Sequence, residues 1–184
     1  MDNGSEFSRK YVSHYGLRAR QLPEMVEWYK TFLNAQIEYD LGFGAFMTFD
    51  NEHHRLVIFG DDDTVEKDPN AAGVEHIGIG LPSFAALAEE YERLKSLGII
   101  PSLPVNHGFT TSLYYRDPEN NEIELTVDNF ATKEECREWM HSEKMTAAMV
   151  PPTFGDLFDP EEMVRLVREG ASLSELATLG QPSA

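Results

Sequence analysis

The chain is poor in cysteine, in basic residues and in long apolar runs. Its 184 residues include a single cysteine, Cys136, so no intramolecular disulfide can form, and a reducing compartment such as the cytoplasm is expected. Lysine and arginine number 15 against 32 aspartates and glutamates, which gives a formal charge of −17. A chain this acidic suits neither the phosphates of nucleic acid nor an anionic membrane surface. No apolar run approaches the roughly 20 residues of a membrane-spanning helix, and the start shows no signal-peptide pattern.

The rest of the composition is that of an ordinary globular chain, with 41% hydrophobic and 26% charged residues. Residues 1–7, MDNGSEF, are predicted to be a vector-derived leader, because Gly-Ser-Glu-Phe is what two adjacent cloning sites encode. Residues 8–130 are predicted to form one domain. Residues 131–184 are predicted to be a C-terminal helical extension, with helices over 132–144 and 160–170.

The domain contains a repeat. Residues 10–60 and 73–130 both predict the element order β-α-β-β-β, and His14-Tyr15-Gly16-Leu17 in the first matches His76-Ile77-Gly78-Ile79 in the second. Alternate side chains of a strand point to opposite faces, so each histidine shares a face with its glycine. The apolar pair then faces the helix of its own repeat. Each glycine leaves room beside a histidine, and a unit with one apolar face normally pairs with its copy.

This repeat resembles the vicinal oxygen chelate superfamily, which includes glyoxalase I, fosfomycin and bleomycin resistance proteins, and extradiol ring-cleaving dioxygenases. The resemblance implies an α+β fold, in which two βαβββ modules form a half-open barrel around a divalent metal. It covers about residues 10–130.

His14 and His76 are predicted metal ligands, since equivalent positions of a duplicated unit are harder to explain as packing. The resemblance implies Glu124 as the third ligand, although a solvated glutamate face is the alternative interpretation of that strand. The equivalent strand of the first module offers Val57 or a neighbour, which cannot bind a metal. Two histidines and one carboxylate with open positions are typical of non-haem Fe(II) oxygen chemistry, and Mn(II) fits the same ligand types.

A predicted hairpin carries the second motif, which consists in order of His107, Leu113-Tyr114, Asp117-Pro118 and Glu124. This order and spacing resemble the signature of extradiol dioxygenases. One position departs, because Asn120 stands where the family usually has glycine. Asparagine tolerates the left-handed backbone better than most residues, so the turn is expected to survive.

The resemblance implies roles for three further residues. The segment 50–58 resembles the stretch that carries a catalytic histidine, and its register favours His54 over His53, although both could be exposed turn histidines. His54 is expected beside dioxygen as proton donor and acceptor. His107 is expected to contact a substrate hydroxyl, and Tyr114 to hydrogen-bond a substrate oxygen.

The predicted function is a single-domain extradiol-type dioxygenase that opens a catechol or related dihydroxy-aromatic ring with Fe(II) and dioxygen. Two alternatives remain: another metalloenzyme of the superfamily, such as an isomerase, lyase or resistance enzyme, and a metal-free small-molecule binding protein. A homodimer is possible. The C-terminal extension is expected to cover the open face of the sheet or to contact another subunit.

Overall fold

The structure, a computed structural model, describes residues 11–68 and 71–181. The predicted leader, residues 1–7, lies outside this part. The chain divides into two compact units, Met1–Ala71 and Ala72–Ala184, called here the first and the second unit. In the described residues no helix is long and apolar enough to cross a membrane.

The first unit is a four-stranded sheet with one helix. Its elements in chain order are β1 (Tyr15–Ala19), α1 (Leu22–Phe32), β2 (Gln36–Asp40), β3 (Gly44–Thr48) and β4 (Leu56–Gly60). The sheet order is β1-β4-β3-β2, with β1 parallel to β4 and the other pairs antiparallel. Helix α1 has Pro23 in its first turn, where a missing N–H costs nothing, and buries Met25, Tyr29 and Phe32 at helical spacing.

The second unit repeats this plan and adds the C-terminal extension. Its elements are β5 (His76–Gly80), α2 (Phe84–Ser96), β6 (Leu103–Asn106), β7 (Thr110–Arg116), β8 (Glu122–Asp128), α3 (Lys133–Met140), α4 (Glu143–Ala148), β9 (Asp156–Leu157), α5 (Pro160–Arg168) and α6 (Leu173–Leu176). The sheet order is β5-β8-β7-β6-β9, and only the β5–β8 pair is parallel. Both units therefore have the predicted order β-α-β-β-β, and the predicted α+β fold is confirmed.

The registers of the two parallel pairs show how far the repeat extends. Gly16 of β1 lies opposite Val57 of β4, and Gly78 of β5 lies opposite Glu124 of β8. Val57 is therefore the counterpart of Glu124, as predicted, and this position of the first unit has no carboxylate.

The structure differs from the predictions at three points. The strand that the sequence predicts over 11–19 begins only at Tyr15, because the Arg55 guanidinium takes the preceding carbonyls of Val12 and Ser13, at 2.8 and 2.9 Å, in place of a ladder partner. The predicted helix over 132–144 is two helices, since the Ser142 hydroxyl bonds the carbonyl of Trp139 at 2.6 Å and ends the first one. Strand β9 was not predicted. It pairs with β6 and so attaches the extension to the edge of the second sheet.

Candidate metal centre and active-site pocket

A pocket of about 510 Å³ lies in the second unit. Its polar lining includes four of the six predicted site residues, namely His76, His107, Tyr114 and Glu124. His76 opens β5 and His107 directly follows β6, whereas Tyr114 lies on β7 and Glu124 on β8. Neighbouring strands of one sheet therefore bring the four residues together.

His76 and Glu124 are close enough to share one ion. The His76 Nε2 and Glu124 Oε2 atoms are 3.4 Å apart. Two ligand atoms that each bind a divalent ion at about 2.1 Å lie roughly 3 to 3.5 Å from each other. Gly78 makes this possible, because a Cβ there would stand 3.0 Å from Glu124 Oε2. The histidine and carboxylate of the second unit therefore fit a metal.

Tyr114 connects this pair to His107. Its hydroxyl donates to Glu124 Oε1 at 3.0 Å and lies 3.0 Å from His107 Nε2. The antiparallel register places Tyr114 directly opposite Glu124. Burial, and then the neighbouring Glu124 carboxylate, raise the pKa of the Tyr114 phenol above its usual range. Tyr114 is therefore a neutral phenol, able to donate a hydrogen bond, at physiological pH.

His107 is buried and held on both sides. Its Nδ1 lies 2.7 Å from the main-chain oxygen of Phe154, which belongs to the C-terminal extension. The ring of Phe109 stacks on it, with 6.0 Å between the ring centroids.

The turn between β7 and β8 sets the register that aligns these residues. Asn120 has φ 64°, in the left-handed region, so the expectation that asparagine replaces the family glycine is confirmed. The buried Asp117 carboxylate accepts from the main-chain N–H groups of Glu119 and Asn121, at 3.0 and 2.8 Å. This side chain fastens the turn, as aspartate does in many tight turns.

The first unit holds its own group of histidines. The rings of His14 and His54 have centroids 4.5 Å apart, and His53 Nδ1 lies 2.6 Å from His54 Nδ1. Phe46 packs edge-on against His54, with centroids 5.3 Å apart. Partial burial, and then the neighbouring His53 and His14, lower the pKa of His54, so its ring is neutral at physiological pH. His14 and His54 are thus neighbours in the first unit.

Within residues 11–68 and 71–181, no three His, Cys, Asp or Glu side chains are gathered as a complete metal-binding group. His76 and Glu124 form a close pair, but their role as metal ligands, with His14 as the third, remains a prediction. The catalytic roles of His54, His107 and Tyr114 remain predictions as well.

Sequence reasoning missed the residues that the extension brings to the pocket. These are Met149, Pro152, Thr153 and Phe154. The extension was predicted to cover the sheet or to contact another subunit, but none of its residues was predicted to line the pocket. No side-chain motif marks this segment, and Phe154 contacts His107 through a main-chain oxygen.

Comparison with known proteins identifies the family. The profile of the Glyoxalase/Bleomycin resistance protein/Dioxygenase superfamily matches residues 11–125. The chain belongs to this superfamily. Biphenyl-2,3-diol 1,2-dioxygenase 3 of Rhodococcus globerulus is 40% identical over 169 residues, 91% of this chain and 87% of the relative. Biphenyl-2,3-diol 1,2-dioxygenase 2 of the same organism is 37% identical over 168 residues, with 90% and 86% covered. The predicted superfamily and the predicted class of enzyme, an oxygen-incorporating oxidoreductase, are confirmed.

A solved structure shows the same fold. The glyoxylase/bleomycin resistance protein/dioxygenase domain of Frankia sp. EAN1pec superposes with a TM-score of 0.57 at 21% identity, over 70% of this chain and 98% of that one. The Frankia domain therefore matches less than three-quarters of this chain. The Rhodococcus dioxygenases match about nine-tenths, so their similarity extends into the C-terminal extension.

Proposed function

We propose that this chain is an extradiol-type ring-cleaving dioxygenase that uses Fe(II) and dioxygen to open a catechol or related dihydroxy-aromatic ring. The observation that carries the proposal is the continuous contact chain from His107 through Tyr114 to Glu124 and His76, all within one pocket. The 40% identity to a biphenyl-2,3-diol dioxygenase supports it independently.

His76 and Glu124 would hold the iron, together with His14. The Nε2–Oε2 separation of 3.4 Å and the space left by Gly78 support the first two. His14 is proposed because it precedes β1 as His76 opens β5, two residues before the matching glycine. Two histidines and one carboxylate leave coordination positions open, as non-haem Fe(II) oxygenases require, and Mn(II) is compatible with the same ligands. When bound, the metal supplies the electron transfer between the aromatic diol and dioxygen.

Tyr114 and His107 would bind and orient the diol. A neutral phenol donates a hydrogen bond to a substrate oxygen, and burial keeps Tyr114 neutral. His107 lies within hydrogen-bond distance of that phenol and can exchange a proton with a substrate hydroxyl. His54, next to His14, would donate and accept protons beside dioxygen.

The walls of the pocket suit an aromatic ring. Leu103, Phe109, Met149 and Phe154 contribute apolar lining, and about 510 Å³ is within the usual range for a small-molecule site. The substrate class proposed here is therefore a catechol with an aryl or alkyl substituent. The product would be the ring-opened semialdehyde or its tautomer, carrying both atoms of dioxygen.

Metal replacement tests the proposal. Protein stripped with a chelator is reloaded with Fe(II), Zn(II) or Ni(II) and offered catechol and biphenyl-2,3-diol, in air and under nitrogen. Only the Fe(II) protein, or the Mn(II) protein in a parallel sample, should form the yellow product, and only with matching oxygen uptake. Turnover with Zn(II) or Ni(II) under nitrogen would instead indicate an isomerase or lyase, and protein isolated without any metal would indicate a binding protein.

The cytoplasm is the proposed location, on the basis of a single, unpaired cysteine. A homodimer is the proposed assembly, and light scattering of the purified protein tests it.

A further inference from the structure

The contact between His107 and Phe154 determines where the histidine carries its hydrogen. The main-chain oxygen of Phe154 can only accept, so at 2.7 Å it requires a hydrogen on His107 Nδ1. In the neutral ring, Nε2 then has a free lone pair, and it faces the Tyr114 hydroxyl at 3.0 Å. A proton taken up by the ring must therefore bind at Nε2, on the side of Tyr114.

The hydroxyl of Tyr114 has one hydrogen and two acceptors within reach. Glu124 Oε1 and His107 Nε2 are each 3.0 Å from it. While Nδ1 stays bonded to Phe154 and the Tyr114 hydrogen goes to Glu124, Nε2 of the neutral ring is left to accept from a substrate hydroxyl. With the opposite tautomer, Nε2 would carry a hydrogen and could no longer accept.

The strand pair β6–β9 holds the two partners in place. Asn106, which precedes His107, lies opposite Asp156, which follows Phe154 by two residues. Between them, the backbone of Gly155 lies so close to β6 that a Cβ on Gly155 would stand 2.4 Å from the main-chain oxygen of Asn106. The position of the Phe154 carbonyl therefore depends on the absence of a side chain at residue 155.

A second attachment joins the end of the extension to Asn106. The buried Asn106 side chain donates to the main-chain oxygens of Ala177 and Leu179, both at 2.9 Å. It also accepts from the Asn129 amide at 2.9 Å and from Gly108 N–H at 2.8 Å. A buried amide with all these partners fixes the backbone around it. The extension is thus fastened to β6, the strand that ends directly before His107.

We infer that Phe154 is a positioning residue, whose main-chain carbonyl holds His107 in the Nδ1–H tautomer and so keeps Nε2 as the acceptor in the pocket. The inference rests on the proposed function for the role of Nε2. The similarity of the Rhodococcus dioxygenases extends into the same extension, whereas the Frankia domain matches only 70% of the chain.

The tautomer can be measured directly. Long-range ¹H–¹⁵N NMR of histidine-labelled, metal-free protein distinguishes Nδ1–H from Nε2–H rings, and His107→Gln assigns the signal. The wild-type ring should be in the Nδ1–H form at a pH where it is neutral. An Nε2–H ring in the wild-type protein would overturn the inference, whatever a substitution near Phe154 does.

Gly155→Ala tests whether the Phe154 carbonyl fixes the tautomer of His107. The added Cβ should displace the Phe154 carbonyl, so that His107 becomes a mixture of tautomers, and in the Fe(II) enzyme kcat should fall about tenfold or more with little change in KM. Gly80→Ala is the matched control, since a Cβ at Gly80 meets nothing within 4 Å. A folded Gly155→Ala protein that keeps the wild-type tautomer would contradict the inference. Because the tautomer is read without iron or substrate, failure of the dioxygenase assay leaves that result unaffected.

Discussion

Gly78 and Glu124 lie opposite each other on parallel strands, and the carboxylate occupies the space that a side chain at residue 78 would need. The glycine was expected to leave room beside a histidine. Its closest neighbour is instead the Glu124 carboxylate, the proposed second ligand, so the backbone of one strand shapes the position of the carboxylate on the next.

Gly78→Ala should weaken metal binding. A Cβ at 3.0 Å from Oε2 is tighter than ordinary contact, so the carboxylate must shift by a few tenths of an ångström from its place 3.4 Å from His76 Nε2. Changes that displace a ligand through its neighbours commonly cost about 10- to 100-fold in metal affinity. Titration of the stripped protein with Fe(II) measures this, and Gly80→Ala on the same strand is the control. Equal affinity in both variants would show that the carboxylate is not a ligand or that it adapts freely.

Glu124→Ala should abolish iron retention, whereas Glu122→Gln should not. Both glutamates are on β8 and line the pocket, but Glu122 is engaged with the Arg116 guanidinium at 2.9 Å. This matched pair separates a specific ligand from a generally acidic face of the strand. Iron content after gel filtration provides the measurement. If Glu124→Ala kept its full iron content, the ligand assignment would be wrong.

The attachment of the extension to α2 should depend on pH. The Tyr91 hydroxyl donates to Glu161 on α5 at 2.5 Å, and Lys95 pairs with the same carboxylate. The Lys95 ammonium, and then Tyr91, lower the pKa of Glu161 below its ordinary value of 4.5. A lowered carboxylate pKa adds stability that is present above 4.5 and is lost as pH falls through the folded-state value.

Tyr91→Phe should therefore lower the free energy of unfolding at neutral pH, because the hydrogen bond to the charged Glu161 carboxylate is lost. The difference from wild type should shrink below pH 4.5, because a protonated Glu161 accepts a weaker bond. Urea denaturation across this range measures it. Arg168→Gln, which breaks the exposed ion pair with Glu92, should cost less at every pH. A Tyr91→Phe difference that grows on acidification would contradict the assignment.

Side-chain patterns predicted much of the site. The strand repeat predicted His76, and the resemblance of the hairpin motif to the extradiol dioxygenases implied His107, Tyr114 and Glu124. These four residues line one pocket. The repeat also predicted Val57 or a neighbour as the counterpart of Glu124, and the strand registers select Val57. Such predictions succeed because alternation along a strand and pairing within a hairpin are local consequences of the sequence.

The contribution of the extension could not be predicted in this way. Phe154 contacts His107 through a carbonyl that every residue possesses, so its identity carries no signal. Strand β9 has only two residues, Asp156–Leu157, which is too short to show a period. Its place is set by Asn106, a residue some fifty positions earlier, through tertiary hydrogen bonds that no local pattern records.

His54→Phe should leave iron bound and slow turnover. Phenylalanine keeps the ring that packs on Phe46 but removes both nitrogen atoms, so proton transfer beside dioxygen would be lost while the local packing remains. Loss of one acid–base group commonly slows a reaction by about 10²- to 10⁴-fold. His53→Phe is the matched control, because His53 is the exposed neighbour that the strand register disfavours. Iron content and oxygen uptake with a catechol should be measured on both variants. If the His54 variant turned over at the wild-type rate, or if only the His53 variant slowed, the catalytic histidine would have been assigned to the wrong residue.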